Sequence, residues 1–209
     1  MSDPGATFHE FNVPQNVYDR RPEKALASFD HRHRFIFTYS YELPMGVGHS
    51  FNPSGWRGKF VEGWTVSGIG TFQKGAPITV NTPGDLANIG PGPAQRPHLL
   101  RNPNLPSGKG TAERWFDTEA FALPELYTFG NAGRNLVVEA GEAQVDMSLT
   151  KNTAITESHR LEFRAEMFNV FNRVNFVGAP GRIAFTPNFG RLFNTGPSRQ
   201  MQLGLKYVF

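Results

Sequence analysis

The segment 201–209 constrains the fold most, because its side chains alternate between two chemically unlike faces. One face carries Met201, Leu203, Leu205, Tyr207 and Phe209. The other face carries Gln202, Gly204 and Lys206, with Val208 as its apolar exception. A period of two with one apolar and one polar face is typical of a β-strand between two unlike media. The segment therefore predicts either the closing strand of an outer-membrane barrel, where a terminal aromatic residue sits at the interface, or the last strand of a soluble sheet.

Composition favours an all-β chain with long irregular connections. The 209 residues include 19 Phe, 22 Gly and 16 Pro, and helical stretches rich in Ala and Leu are scarce. The formal net charge is only +3, and no Lys/Arg cluster is interleaved with aromatic residues, so nucleic acid is not predicted as a partner. The absence of cysteine excludes a disulfide framework and a cysteine-ligated metal site.

The same alternation recurs along the chain and defines the predicted strands. These strands occupy about 31–44, 59–81, 142–155, 160–171 and 199–209. A helix competes for the fourth segment, but Leu161, Phe163 and Ala165 follow a period of two and not the i, i+3, i+4 spacing of a helix. Gly68 and Gly70 fall inside the second strand, where we interpret them as relief of bending strain in a curved wall. The predicted fold is an antiparallel up-and-down meander of about five long strands.

The connections between these strands alternate between long and short. The long ones are 1–30, 83–141 and 172–198, and the short ones are 45–57 and 156–159. Outer-membrane barrels have short periplasmic turns and longer extracellular loops, and every long segment here falls at the same end of the meander. The sequence thus predicts that 31–209 is part of a transmembrane β-barrel wall with long extracellular loops. Segment 1–30 is expected to be a further extracellular loop or a disordered N-terminal segment.

Each face of the predicted wall carries its own candidate residues. Aromatic side chains on the apolar face are expected to form two interface belts around an aliphatic band. The belt residues are Phe35, Phe37, Tyr41, Trp64 and Phe72, with Phe168 as a further candidate. The polar face is expected to line a water-filled lumen, with charges paired across strands. The lumen-facing residues are Arg160, Glu162, Arg164, Glu166 and Lys206.

A series of motifs runs through most of 31–209 in a specific order and spacing. They are Gly63-Trp-Thr-Val-Ser-Gly-Ile-Gly70, Gln73-Lys-Gly-Ala-Pro77, Trp115-Phe-Asp117 with Phe121, Phe129-Gly-Asn-Ala-Gly-Arg-Asn135, Val145-Asp-Met-Ser-Leu-Thr-Lys151 and Phe163-Arg-Ala-Glu-Met-Phe-Asn-Val-Phe-Asn172. With the terminal strand, they resemble the C-terminal end of a TonB-dependent outer-membrane transporter. The resemblance is greatest to the Oar-like branch, whose barrels follow a carboxypeptidase-regulatory-like domain and a plug.

The resemblance implies uptake of a large substrate across the bacterial outer membrane. It leaves open whether that substrate is an iron chelate, a glycan or a peptide. The implied partners are outer-membrane lipid, the rest of the barrel and its plug, and a TonB energy-coupling complex that acts through that plug. The barrel-assembly machine is expected to read the terminal strand at Leu205, Tyr207 and Phe209. Because about five strands do not close a cylinder of roughly 22, the chain is expected to be a fragment or the product of a gene with a truncated start.

No catalytic, cofactor-binding or metal site is predicted. His31 and His33 lack a third ligand at a fixed spacing, and the sequence has neither a nucleophile elbow nor a phosphate loop. Glu162 and Glu166 lie roughly 13 Å apart by the strand rise, too far for glycoside hydrolysis. The alternative to the membrane wall is a soluble or cell-surface all-β binding module, such as a sandwich adhesin, in which the Phe-rich faces form a core.

Overall fold

The computed structural model describes residues 14–46, 49, 51, 53, 55–90 and 95–209. The chain divides into two compact units, which we name by their content. The strand unit comprises Arg34–Gln73, Glu142–Asn175 and Gly196–Phe209. The loop unit comprises Met1–His33, Lys74–Gly141 and Phe176–Thr195.

The strand unit is built on a single five-stranded sheet. Its strands are β1 (Arg34–Glu42), β2 (Trp64–Gln73), β3 (Glu142–Ala154), β4 (Arg160–Phe168) and β5 (Gln200–Val208). Every strand pairs antiparallel with its neighbour in sequence, in the order β1-β2-β3-β4-β5. The predicted up-and-down all-β meander is therefore confirmed.

Helix is sparse in the described part of the chain. It consists of α1 (Trp56–Val61), in the strand unit, and two 3-10 turns at Arg21–Glu23 and Thr118–Ala120, in the loop unit. None of the described helices is long and apolar enough to cross a lipid bilayer.

The register of the sheet places the predicted apolar side chains on one face. Odd-numbered residues of β1, β3, β4 and β5 share this apolar face with even-numbered residues of β2, and the remaining positions form the polar face. One row across the apolar face consists of Tyr41, Val66, Leu149, Ala165 and Leu203. The corresponding row across the polar face consists of Ser40, Ser67, Ser148, Glu166 and Gln202. Because the pleat alternates strictly, a slip of one residue would exchange the two sets, so the pattern excludes such a slip.

Two predicted strands are shorter in the structure. The predicted strand 59–81 begins only at Trp64, because Gly63 adopts a left-handed φ of +74° between α1 and β2. A Cβ at Gly63 would lie 2.3 Å from the Asn152 carbonyl oxygen, so only glycine fits this turn. Beyond Gln73 the chain enters the loop unit, where Pro77–Ile78 pairs with Val137–Val138.

The predicted strand 160–171 ends at Phe168. Asn169 follows with a φ of +50°, and its buried side chain donates to the Arg173 carbonyl at 2.8 Å and accepts the Arg173 N–H at 3.0 Å. This turn bends the backbone out of the ladder. By alternation Phe168 lies on the polar face, opposite Gln200, so the expectation that it belongs to the aromatic belts is wrong.

The loop unit has its own aromatic core. Phe116 packs edge-to-face against Phe121 and Phe189, with ring centroids 6.1 and 5.2 Å apart. The buried aliphatic side chains in the same cluster are Ile78, Val80 and Val137. The two long connections 83–141 and 172–198 thus contribute to one hydrophobic cluster, which burial of apolar area stabilises.

Buried polar contacts join the N-terminal segment to the rest of the loop unit. Gln15 donates to the Gly130 carbonyl at 2.9 Å and accepts the Arg96 N–H at 2.7 Å. Arg96 and Arg134 both face Glu23, and the Arg96–Glu23 pair is almost fully buried. From Pro14 onward, predicted segment 1–30 is therefore an ordered part of this unit, and its first 13 residues lie outside the described residues.

The two glycines inside β2 leave space for aromatic rings on the neighbouring strand. A Cβ at Gly70 would lie 2.2 Å from Phe37 Cε1, and a Cβ at Gly68 would lie 2.8 Å from the Tyr39 hydroxyl. These rings cover the glycine positions opposite them in register. The structure thus gives the glycines a packing role that the interpretation as strain relief did not include.

Replacing Gly70 with alanine is expected to lower the free energy of unfolding by about 1–3 kcal/mol, because the added methyl group overpacks the Phe37 ring. Gly204→Ala is the matched control, since an added Cβ there meets no atom within 4 Å. Urea titration of the folded protein measures both variants. Equal stabilities for the two alanine variants would contradict the packing role.

Candidate functional site

One end of the apolar face carries a cluster of aromatic rings. Phe37 lies 5.7 Å from Phe35 and 6.3 Å from Phe72, measured between ring centroids. Tyr39 continues the stack at 6.2 Å. Three of the predicted belt residues are thus brought into contact at the end from which the long connections leave the sheet.

The opposite end of the same face carries a second aromatic group. Trp64 packs edge-to-face on Phe163 at 6.3 Å, and its indole N–H donates to the Phe60 carbonyl at 2.8 Å. Tyr41 lies on the same face but one residue pair further into the sheet, opposite Val66. Aliphatic side chains occupy positions between the two aromatic groups, namely Val145, Met147, Leu149, Ala165 and Leu203. Aromatic side chains at both ends of an aliphatic band are the pattern of an interface-spanning wall.

The predicted assembly residues Leu205, Tyr207 and Phe209 lie along the end of β5, where a histidine joins them. The Tyr207 hydroxyl lies 2.7 Å from His159 Nδ1, and the two rings stack at 5.6 Å. Phe209 also stacks on Tyr207, with ring centroids 6.1 Å apart. Sequence reasoning treated His159 only as part of a turn. Pairing β4 with β5 so that Leu161 lies opposite Tyr207 would have placed His159, two residues earlier on the same face, next to Tyr207.

Lys151 is a cation on the apolar face, and the sequence analysis gave it no role. Its ammonium group donates to the carbonyl oxygens of Lys59 and Glu62, at 2.9 and 2.6 Å. The same nitrogen lies 5.3 Å from the Trp64 ring centroid and 6.0 Å from that of Phe60. Carbonyl oxygens at the end of α1 and two aromatic faces therefore surround the ammonium group.

The five predicted lumen-facing residues share the polar face. Arg164 pairs with Glu162 at 2.8 Å and with Glu166 at 3.7 Å, along β4. Gln202 of β5 donates across the strands to Glu166. Lys206 lies opposite Glu162, and Arg160 lies opposite Val208. These ion pairs run along a strand and not across strands, because the long arginine side chain spans the distance to residues i±2 on its own face. That this face lines a lumen stays a prediction.

A groove of about 470 Å³ crosses the loop unit. Its lining includes Lys74, Asn104, Trp115 and Glu139. The Trp115 indole N–H donates to the Val138 carbonyl at 2.8 Å, and the Asn104 amide bonds the Leu136 carbonyl and the Val138 N–H. These bonds hold an aromatic ring beside charged side chains, an arrangement suited to a ligand with both flat apolar and polar surfaces.

Two carboxylates in the loop unit accept hydrogen bonds that stabilise its connecting segments. Burial acts to raise the pKa of Asp117, but hydrogen bonds from Arg114 and Arg101 outweigh it and hold the pKa below its usual value. The pKa of Asp85 is also lowered, first by the Ile89 N–H and further by the Gly90 N–H. Both carboxylates therefore stay ionised and act as structural acceptors.

The histidines considered as a metal pair lie in the loop unit. His31 Nδ1 lies 2.9 Å from the Lys74 carbonyl oxygen. Among the described residues, no group of three or more His, Cys, Asp or Glu side chains is placed to hold a metal ion.

Comparison with known families gives one match. A family model described as an outer membrane beta barrel domain matches residues 1–202. No curated protein and no solved structure matches the chain.

Proposed function

We propose that this chain, which belongs to the outer-membrane β-barrel domain family, is the C-terminal barrel part of a TonB-dependent receptor. Membership of this family places the protein in the bacterial outer membrane. The proposed activity is the uptake of a large substrate that is too bulky for an open pore. The apolar face is proposed to meet outer-membrane lipid, and the polar face to line the interior.

This proposal rests mainly on the observation that the long connections fold into a unit with its own core. All three long segments connect to the same end of the sheet, at Arg34, Gln73, Glu142, Phe168 and Gln200. Segments that only linked strands would need neither the Phe116 core nor the buried Arg96–Glu23 pair. A folded binding module in the outer connections supports capture of a specific ligand, and the groove beside Trp115 is the proposed contact.

The open edges of the sheet support the proposed partners. Among the described residues, β1 pairs only with β2 and β5 only with β4. Because lipid offers no hydrogen bonds, the free edge groups require further strands, which we assign to the rest of a larger barrel. We assign energy input to a TonB complex acting through a plug, and insertion to the barrel-assembly machine acting on β5.

Energy dependence of uptake tests the proposal. The full-length protein is produced in a diderm host that lacks related receptors, and growth is measured on iron chelates, glycans or peptides as the limiting nutrient. Growth on one of these classes is expected to require both the protein and an intact TonB complex. Uptake that persists after loss of TonB would indicate passive diffusion and would refute the proposal that the protein is a TonB-dependent receptor.

A further inference from the structure

The connection 43–63 exposes a patch of aromatic and cationic side chains, which we call the anchor patch. Its members are Phe51, Trp56, Arg57, Lys59 and Phe60. The three aromatic residues are 57%, 75% and 64% exposed, respectively. They surround a groove of about 550 Å³ that Pro53 and Val61 complete. An exposed apolar cluster of this kind marks a surface that contacts another phase or molecule.

Local geometry gives the patch two chemically different parts. Trp56 and Phe60 are four residues apart on α1 and so lie on the same side of the helix. The Arg57 guanidinium stands 5.7 Å from the centroid of the Trp56 ring. Aromatic rings beside Arg and Lys are the composition of segments that lie in a membrane interface, where the rings enter the acyl boundary and the cations meet headgroups.

The anchor patch is continuous with the apolar face of the sheet. Lys151 of β3 lies over the rings of both Phe60 and Trp64, and it donates to the carbonyl oxygens of Lys59 and Glu62. Trp64 in turn contacts Phe163 on the apolar face. An aromatic surface therefore runs from β4 through Trp64 to α1 without leaving the strand unit.

Cationic side chains outnumber the acidic one in and beside the anchor patch. Within 43–63 the cations are Arg57 and Lys59, whereas Glu62 is the one acidic residue in that stretch of sequence. Lys151 adds a third positive charge at the end of α1. A cationic side chain at a membrane surface attracts anionic headgroups.

We propose that the anchor patch lies in the phospholipid leaflet at the short-connection end of the barrel and binds an anionic phospholipid headgroup through Arg57, Lys59 and Lys151. The inference rests on the assignment of the apolar face to lipid and not on transport. It gives the connection 43–63 a role as a lipid-binding anchor beyond that of a turn between two strands.

Lipid-specific quenching of Trp56 tests this site. The full-length barrel is reconstituted in phosphatidylcholine vesicles that contain brominated phosphatidylglycerol or brominated phosphatidylcholine in equal amounts. The Trp56 signal is the difference between the emission of the wild type and that of Trp56→Phe. We expect both lipids to quench it, and brominated phosphatidylglycerol to have the larger quenching constant.

Arginine variants test the charge. Arg57→Gln is expected to lower the ratio of the two quenching constants by roughly fivefold, the loss for one cation at a membrane surface. Arg57→Lys should preserve the ratio, as should Arg20→Gln, which removes an exposed arginine from the loop unit. An unquenched Trp56, equal quenching by both lipids in the wild type, or relief of quenching by lipopolysaccharide would each overturn the proposal. Failure of substrate uptake would leave these results unchanged.

Discussion

Leu203→Arg is expected to lower the free energy of unfolding of the membrane-inserted barrel by about 2–4 kcal/mol, the cost of a cation near the middle of a lipid-facing wall. Leu203 stands on the apolar face between Met201 and Leu205, opposite Ala165, and its side chain is 71% exposed within this chain. Its neighbours on the apolar face, Met201, Leu205 and Ala165, offer an arginine no carboxylate partner. Urea titration of the barrel in lipid vesicles measures the loss.

Gln202→Arg is the matched control, one residue away on the opposite face. Gln202 already bonds Glu166, so an arginine there gains a carboxylate partner, and the change in stability should stay within about 0.5 kcal/mol. Equal losses for the two variants would contradict the assignment of the faces. A soluble sheet with the apolar face as its core would also suffer from Leu203→Arg, so a second measurement is needed. Brominated lipid should quench Trp64 once Trp56 and Trp115 are replaced, and unchanged emission would remove the lipid-facing assignment.

Deleting Phe209 should sharply reduce the amount of folded barrel that reaches the outer membrane. Phe209 is 89% exposed and stacks on Tyr207, which bonds His159 at the start of β4. We propose that this exposed end of β5 is what the assembly machinery recognises, so its loss acts on insertion more than on packing. The folded fraction is measured in outer-membrane preparations by the heat-sensitive mobility of intact barrels.

Deletion of Ala179 controls for the loss of one residue. Ala179 lies exposed in the connection 169–199, outside the strands. Its removal should leave the outer-membrane level close to that of the wild type. If both deletions reduce the level equally, the end of β5 carries no assembly signal.

Periodicity explains why the sheet was predictable from sequence. A period of two is a local property that is visible along each strand, and it assigns each side chain to one face of the sheet. The register that aligns Leu149, Ala165 and Leu203 is known only from the structure, because a slip of two residues would keep the same faces. Strand ends were harder to predict, because Gly63 and Asn169 act through their backbone φ. Neither residue changes the hydrophobic pattern.

The loop unit and the contacts of Lys151 were not predictable in the same way. Asn104, Asn135 and Gln15 stabilise the loop unit through bonds to backbone groups that are distant in sequence, and no local spacing encodes such bonds. The apolar residues of 83–141 indicated only that the segment folds onto itself or onto a rim. Lys151 continued the alternation of β3 as a polar exception, and its partners belong to a six-residue helix too short to predict from periodicity.

The long-range bonds of the loop unit set an order on folding. The hydrogen bond from Gln15 to Gly130 joins residues 115 positions apart, and that from Asn135 to Leu26 joins residues 109 apart. Both β1 and β2 lie between these partners in sequence. The two hydrogen bonds therefore form only after both strands have been synthesised. Contacts of such separation form late, because loop closure costs entropy before they stabilise anything. A chain whose synthesis stalls before residue 135 would therefore carry an open, protease-sensitive loop unit.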